Sequence, residues 1–161
     1  MSVKSIFHIN LNCSDLERSL EFYEALGFES RFTLEHDGVA GPEHTVHGIP
    51  EGRLEYEARL LVAGGDLYQT RIDLMQFKQP LAEVGEPLGA TGLGLRRIAL
   101  RVTDLQGMYE ELRSKGFEFI TEPVGPLPDL FVKWVVSLLD PDGVIVELME
   151  LMPGSKKNLY E

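Results

Sequence analysis

The sequence predicts an α+β fold built from two tandem βαβββ modules, and three observations support this prediction. The first is an internal repeat, because residues 7–28 align without gaps with residues 96–117. The second is that each copy passes from a strand pattern to a helical pattern and then back to strand-like alternation. The third is the length of 161 residues, which allows one domain or two small halves but not two independent enzymes.

Composition and charge exclude several classes of function. The chain is 43% apolar and 25% charged, as is usual for a soluble globular protein. Its net charge of −11 would repel phosphate backbones and anionic membranes. The single cysteine cannot form an internal disulfide, and we find neither a signal-peptide core nor an apolar run near the ~20 residues of a membrane span. We therefore expect a cytoplasmic protein with no nucleic-acid or membrane partner.

The first strand of each copy has two unlike faces. In the first copy, apolar residues alternate with the polar residues His8, Asn10 and Asn12. In the second copy, Arg97 and Arg101 alternate with apolar neighbours. Because successive side chains of a strand point to opposite sides, one face of each strand is predicted to be solvated or functional.

A helix is predicted after each of these strands. The sequences that begin at Ser14 and Thr103 have the form of capping boxes, in which the hydroxyl group caps the helix start. Apolar residues then recur at helical spacing and predict one buried stripe. Gly27 and Gly116 are predicted to end the two helices.

The remainder of each copy alternates as strands do, so the predicted order is strand, helix and three strands, twice. Turn-forming residues at 64–66 and 140–143 separate the last two strands of each copy. The strands that they separate are predicted at residues 54–62, 69–77, 131–139 and 144–151. The predicted organisation is a first module at 1–77, a linker at 78–94, a second module at 95–152 and a C-terminal tail at 153–161.

Two motifs resemble the vicinal oxygen chelate superfamily, which includes glyoxalase I, methylmalonyl-CoA epimerase, extradiol dioxygenases, fosfomycin-resistance enzymes and bleomycin-resistance proteins. One is HIxLxxSDLERSLEFYEALGF from His8 to Phe28, and the other is LxDPDGxxxEL from Leu138 to Leu148. The resemblance covers nearly the whole chain. It implies a glyoxalase-like fold, in which the two modules form a cupped mixed sheet, and it also implies a homodimer.

The resemblance also implies candidate metal ligands. Members that use a metal take four ligands from the first and last strands of the modules, and these positions fall on His8, Asp73, Arg97 and Glu147. A guanidinium group cannot coordinate a cation. Two interpretations stay open. In the first, His8, Asp73 and Glu147 bind a divalent metal that acts as a Lewis acid. In the second, no metal binds, and Arg97 either pairs with Glu147 or Asp73 or binds a substrate carboxylate.

Further candidate site residues come from the resemblance and from the strand pattern. In glyoxalase-like and epimerase-like relatives a carboxylate beside the metal moves a proton, which implies a catalytic role for Glu147; the alternative is a salt-bridged buried carboxylate. Asn10 and Trp134 join Arg97 as candidate substrate contacts, with plain core packing as the alternative for Trp134. For His8 the alternative is a hydrogen-bonded histidine on a polar strand face.

The first module is longer than the second, and we place the insertion at residues 36–53. It contains His36, His44 and His47, which we interpret as exposed loop histidines, with a lid over the cup as the alternative. The Gly-rich residues 89–94 are not followed by a phosphate-binding helix signature. The sequence therefore predicts no nucleotide cofactor.

The implied function is that of a glyoxalase-like protein acting on a small oxygen-rich molecule. The chemistry would be of the lyase, isomerase or dioxygenase type and metal-assisted. The alternative is a metal-free binding protein that sequesters a small toxic compound, as bleomycin-resistance relatives do. Arg97 disfavours glyoxalase I itself, and it also disfavours an extradiol dioxygenase, since the iron site of that class needs two histidines and a carboxylate.

Overall fold

The computed structural model describes residues 5–64, 70–81, 91 and 94–154. The chain divides into two compact units, Met1–Val84 and Gly85–Glu161. This division falls within the predicted linker. Most of the linker, most of the predicted tail and part of the predicted turn at 64–66 lie outside the described residues. Within the described ranges, no helix has the length and apolar character of a membrane span.

The first unit contains a four-stranded mixed sheet with the strand order β1-β4-β3-β2. Strands β1 and β4 pair in parallel, and the other neighbours are antiparallel. Its elements are β1 (His8–Asn12), α1 (Leu16–Ala25), β2 (Phe28–Val39), α2 (Pro42–Thr45), β3 (Arg53–Ala63) and β4 (Arg71–Gln79).

The second unit contains a three-stranded mixed sheet with the order β5-β7-β6, in which β5 and β7 are parallel. Its elements are β5 (Arg97–Arg101), α3 (Leu105–Ser114), a 3₁₀ turn (Pro128–Leu130), β6 (Val132–Leu139) and β7 (Ile145–Leu151). The predicted α+β class with two modules is therefore confirmed.

The second unit departs from the predicted three strands after its helix. The segment before β6 makes only isolated bridges, from Phe119 to Leu138, Val124 to Val135 and Leu127 to Val132. Prolines at positions 123, 126 and 128 interrupt this segment. Because proline has no backbone N–H, it cannot donate to a strand ladder, so no continuous strand forms.

The helices begin and end near the predicted residues, but the capping group differs from the prediction. Asp15 and Asp104 are the N-cap residues, and their side chains accept hydrogen bonds from the backbone N–H groups of Arg18 and Gly107 at 3.1 and 3.3 Å. The predicted Ser14 hydroxyl instead accepts from the Arg18 side chain. At the other end, Gly27 and Gly116 have φ of 94° and 88°, the left-handed conformation that favours glycine after a helix.

Each helix start is also tied to the last strand of its own unit. The backbone N–H of Leu16 donates to Gln76 Oε1 at 3.1 Å, and the backbone N–H of Leu105 donates to Glu150 Oε2 at 3.0 Å. Lys133 donates to the other carboxylate oxygen of Glu150 at 2.7 Å. The Lys133 hydrogen bond and then the Leu105 hydrogen bond hold the pKa of Glu150 below its usual value of 4.5. These side chains satisfy N–H groups that have no partner within the helix.

We expect Gln76→Ala to lower the free energy of unfolding by about 1–2 kcal/mol, because it leaves the partly buried N–H of Leu16 without its acceptor. Gln76→Glu keeps the acceptor for Leu16 but cannot make the hydrogen bond that Gln76 Nε2 donates to the Ser14 oxygen at 2.9 Å, so it should lose stability too, though less than Gln76→Ala. Chemical denaturation of both variants and the wild type measures the difference. Equal stability of Gln76→Ala and the wild type would show that this hydrogen bond does not stabilise the unit.

Candidate functional site

The predicted polar face of β1 is present and shares one side of the sheet with Asp73. Leu11 is buried, whereas His8 and Asn10 are exposed. In the parallel register Asn10 lies opposite Asp73, and the Asn10 Nδ2 donates to the main-chain oxygen of Asp73 at 3.2 Å. Side chains at paired positions point to the same side of a sheet, so His8, Asn10 and Asp73 share one face.

Asp73 is a buried carboxyl group whose hydrogen bonding is incomplete. The residue is 9% exposed, and among the described residues its buried Oδ1 has no hydrogen-bond partner. Burial raises the pKa of Asp73 above its usual value of 3.8, and the rise is opposed by the charge of His8, a hydrogen bond from Asn10 and the charge of His47. An unsatisfied buried acceptor costs folding free energy and is uncommon in native proteins.

The second unit carries an ion pair at the corresponding positions. Arg97 Nε lies 3.5 Å from Glu147 Oε2. The Arg97 side chain is 61% exposed, whereas that of Glu147 is only 12% exposed. The structure therefore places the guanidinium group at the surface above a largely buried carboxylate.

Trp134 lies on the other face of this sheet. In the β6–β7 register Ser137 is opposite Glu147, whereas Trp134 is opposite Glu150. Glu150 accepts a hydrogen bond from the start of α3, so its face is the one covered by the helix. Trp134 is thus separated from Glu147 by the sheet, and it is not part of the candidate site.

Neither unit by itself carries a metal centre within its described residues, because no three His, Cys, Asp or Glu side chains of one unit lie close enough together to hold a metal ion. Arg97 also places a fixed positive charge on Glu147, one of the three predicted ligands, and this charge opposes a divalent cation. The ligand set of His8, Asp73 and Glu147 stays a prediction, and no chemical step is derived through a metal.

The histidines of the insertion differ from the sequence interpretation. His36 lies on β2 opposite Tyr56, and His44 lies on α2 with an exposure of only 7%. Only His47 is exposed as predicted. The cause is that β2 and β3 are long and pair as far as Val39 and Arg53, so the inserted segment is shortened to residues 40–52.

His44 joins a cluster of rings that sequence reasoning missed. Its ring centroid lies 4.3 Å from that of His36 and 6.0 Å from that of Tyr56, and the rings of His36 and Tyr56 are stacked at 5.7 Å. Phe77 of β4 contacts Tyr56 at 5.9 Å. One sequence signal was available: His44 stands three residues after Gly41, where a capping box places a side-chain acceptor.

The fold and these positions define a protein of the glyoxalase type. A family model described as the Glyoxalase/Bleomycin resistance protein/Dioxygenase superfamily matches residues 5–148, and the chain belongs to this superfamily. Among curated proteins it is similar to the uncharacterized protein YwkD of Bacillus subtilis (strain 168). The two are 34% identical over 151 residues, which cover 93% of this chain and 99% of YwkD.

Solved structures support the same fold. A glyoxalase family protein from Bacillus cereus matches with a TM-score of 0.79 at 19% identity, covering 94% of this chain and 97% of its own. The trypanothione-dependent glyoxalase I of Leishmania major matches at 0.62 and 21% identity, covering 97% and 91%. An antibiotic-binding protein from Streptomyces sp. CB03234 matches at 0.55 and 20% identity, covering 94% and 98%. At these identities the likeness shows the fold alone.

Asp73→Asn should stabilise the protein at neutral pH, because the amide occupies the same position without a buried charge. Since burial raises the pKa of Asp73 in the folded state, the folded protein holds its proton more tightly than the unfolded chain. The cost of ionisation is absent below about pH 4 and grows as the pH rises through the folded-state pKa. Thermal unfolding of the variant and the wild type, measured at neutral pH and below about pH 4, gives the difference in stability at each pH. A variant that is less stable than the wild type at neutral pH would contradict this expectation.

Proposed function

We propose that this chain binds a small oxygen-rich molecule through the exposed guanidinium group of Arg97, without a resident metal. The observation that carries the proposal is the ion pair of Arg97 with the largely buried Glu147. Because Arg97 Nε lies 3.5 Å from Glu147 Oε2, the carboxylate stands beside one edge of the guanidinium group. The exposure of the rest of the side chain favours donation of its other N–H groups to a ligand carboxylate or carbonyl oxygen.

The positive charge of Arg97 contrasts with the negative net charge of the protein. With a net charge of −11, the chain as a whole repels anions. A ligand with an anionic group must therefore be recognised by specific hydrogen bonds, and a planar guanidinium group supplies two of these to one carboxylate. In the first unit, His8 and Asn10 remain predicted polar contacts on that unit's own polar face.

A second candidate function is proton transfer next to a carbonyl group, with Glu147 as the base. A carboxylate shielded from solvent and adjacent to a fixed cation favours this chemistry. Glu147 would take a proton from the carbon beside the carbonyl group, and the electrons of that C–H bond would move to the carbonyl oxygen. Arg97 would stabilise the resulting negative charge. Return of the proton to carbon would complete an isomerisation or epimerisation.

The other properties implied by the resemblance, namely a homodimer, a cytoplasmic location and lyase or dioxygenase chemistry, remain predictions. The antibiotic-binding protein and glyoxalase I that share the fold represent a binding role and a catalytic role. The fold is therefore compatible with both candidate functions, and the choice between them depends on Arg97 and Glu147.

Binding can be tested with a panel of small 2-oxo and 2-hydroxy carboxylates, measured by calorimetry and by the thermal shift of the protein. Arg97→Met should weaken the binding of any positive compound about tenfold or more, because it removes charge-assisted hydrogen bonds. Arg97→Lys should retain part of the affinity as a point charge.

Arg101→Met is the matched control, since Arg101 lies on the same strand and the same side as Arg97 and is also exposed. Equal losses in Arg97→Met and Arg101→Met would indicate a nonspecific charge effect and would contradict the proposed site. Equilibrium dialysis against Zn²⁺ or Mn²⁺ tests the metal-free part of the proposal. Near-stoichiometric metal that is lost in both His8→Ala and Glu147→Ala would overturn it.

Proton transfer can be tested on the compounds that bind. In D₂O the wild-type protein should exchange the hydrogen beside the carbonyl group for deuterium, as followed by proton NMR. Glu147→Gln should abolish this exchange and still permit binding, because the amide cannot accept the proton. Binding without exchange in the wild type would support the sequestering role instead.

A further inference from the structure

We infer that the ligand of Arg97 is an amphipathic acid, whose carboxylate binds Arg97 and whose apolar body lies across the outer strands of the second unit's sheet. The inference rests on the proposed function and deepens it by naming a substrate class. Its evidence lies on the side of this sheet that carries Glu147, here called the Glu147 face. Three features support it: the order of side chains across this face, the exposure of its apolar residues and the same layout in the first unit.

Side chains on the Glu147 face change from charged to apolar across the sheet. At one edge, β5 presents the exposed Arg97. Two strands away, Val135 of β6 is paired with Met149 of β7, which lies two residues after Glu147 and so on the same face. Val124 is paired with Val135 through two backbone hydrogen bonds and therefore points to the same side.

Ile120 is a second apolar residue at the far edge of this face. Its neighbour Phe119 contacts Tyr109 of α3, with ring centroids 4.7 Å apart, and so lies on the helix side of the sheet. The backbone N–H of Ile120 donates to the Ser137 oxygen at 2.8 Å, which holds the residue beside β6. Because successive residues of an extended segment point to opposite sides, Ile120 lies on the Glu147 face.

The apolar side chains of this face are exposed although they stand close together. Ile120 and Val124 are 51% and 50% exposed, and Leu139 is 49% exposed. Ile120 lies beside Ser137, so it is a diagonal neighbour of Val135 and Leu139, at about 7–8 Å. Single exposed apolar residues are ordinary, but a contiguous apolar patch on a protein surface typically marks a binding surface. These four apolar residues are called the apolar strip.

The residues between Arg97 and the apolar strip leave room for a ligand. Ala99 and Ser137 flank Glu147 in the pairing of β5, β7 and β6, and both have small side chains. Adjacent strands are about 4.8 Å apart, so a ligand bound at Arg97 reaches β6 with a body about 10 Å long. A carboxylate with a hydrocarbon or aromatic body of this length contacts both ends of the face, whereas a small hydrophilic acid contacts only one.

The first unit has the same layout on the face of Asp73. One row across its sheet runs from Asn10 of β1 through Asp73 and Leu60 to Phe32 of the edge strand β2. Phe32 is exposed, as Ile120 is in the second unit. Both copies of the repeat therefore place an exposed apolar residue at the edge opposite the polar first strand. This recurrence favours a common use of the apolar edge over an accident of one segment.

A series of unbranched 2-oxo acids from pyruvate to 2-oxooctanoate, measured by calorimetry on the full chain, tests the inference. Each methylene that leaves water strengthens binding by up to about fourfold, so affinity should rise at least about twofold per added carbon. Ile120→Thr combined with Val124→Thr should lower the ratio of 2-oxooctanoate to pyruvate affinity about threefold or more. Threonine keeps the β-branched shape that suits extended backbone. If the double variant does not fold, Val124→Thr alone supplies the measurement.

Leu130→Thr is the matched control, because Leu130 is also exposed but lies in the 3₁₀ turn outside the sheet. It should leave the whole series unchanged. Two outcomes would overturn the inference: an affinity that does not rise with chain length in the wild type, or an equal loss of the rise in Leu130→Thr and in the strip variant.

Arg97→Met distinguishes failure of the inference from failure of the proposed function. It should weaken every acid of the series by a similar factor, because each binds through its carboxylate. Weaker binding of every acid in Arg97→Met, with no chain-length dependence in the wild type, contradicts the inference alone. A chain-length dependence with affinities that Arg97→Met leaves unaltered contradicts the proposed function. Absence of binding by every acid contradicts both.

Discussion

The geometry of both candidate positions depends on one interaction, the hydrogen bond from the start of each helix to a side chain of the last strand of its unit. Gln76 and Glu150 accept these bonds, and each stands three residues after the carboxylate of interest, Asp73 or Glu147. Successive residues of a strand point to opposite faces, so residues three positions apart do so too. The side chain that accepts from the helix and the carboxylate therefore lie on opposite sides of the sheet. Docking of the helix on one face therefore orients the carboxylate on the other.

The two carboxylates occupy corresponding positions of the repeat but have different surroundings. Asp73 and Glu147 are equally buried, at 9% exposure. Asp73 keeps a buried oxygen without a partner in the described structure, whereas Glu147 has Arg97 beside it. The first position is thus suited to a hydrogen-bond donor or a proton. At the second position, the exposed N–H groups of Arg97 can donate hydrogen bonds to an acceptor or an anion.

Much of this arrangement could be predicted from the sequence, because it follows from local periodicity. Strand alternation placed Asp73 and Glu147 on the polar faces, and Gly27 and Gly116 marked the helix ends. The side of the sheet on which Trp134 lies could not be predicted in this way, because it depends on the register between β6 and β7.

The strand containing His36 was missed for a related reason. Its polar sequence is typical of a loop, but pairing of His36 with Tyr56 and of Asp37 with Glu55 across the hairpin holds it as a strand. Arg53 forms ion pairs with both Asp37 and Glu55, which offsets the repulsion between the two facing carboxylates. Such long-range pairing overrides local propensity and is not visible in one segment alone.

The prolines before β6 have a consequence for association between molecules. A sheet edge with free backbone groups is a template on which another chain can add a strand and aggregate. In the second unit, the proline-interrupted segment covers the outer side of β6 with a few bridges and offers no regular ladder of its own. At one edge of the first unit's sheet, β2 instead carries exposed charges, among them Glu29, Arg31 and Asp37, beside the exposed apolar Phe32 and Leu34. The edges at β6 and β2 thus discourage strand addition by different means, the first by an irregular backbone and the second by charge.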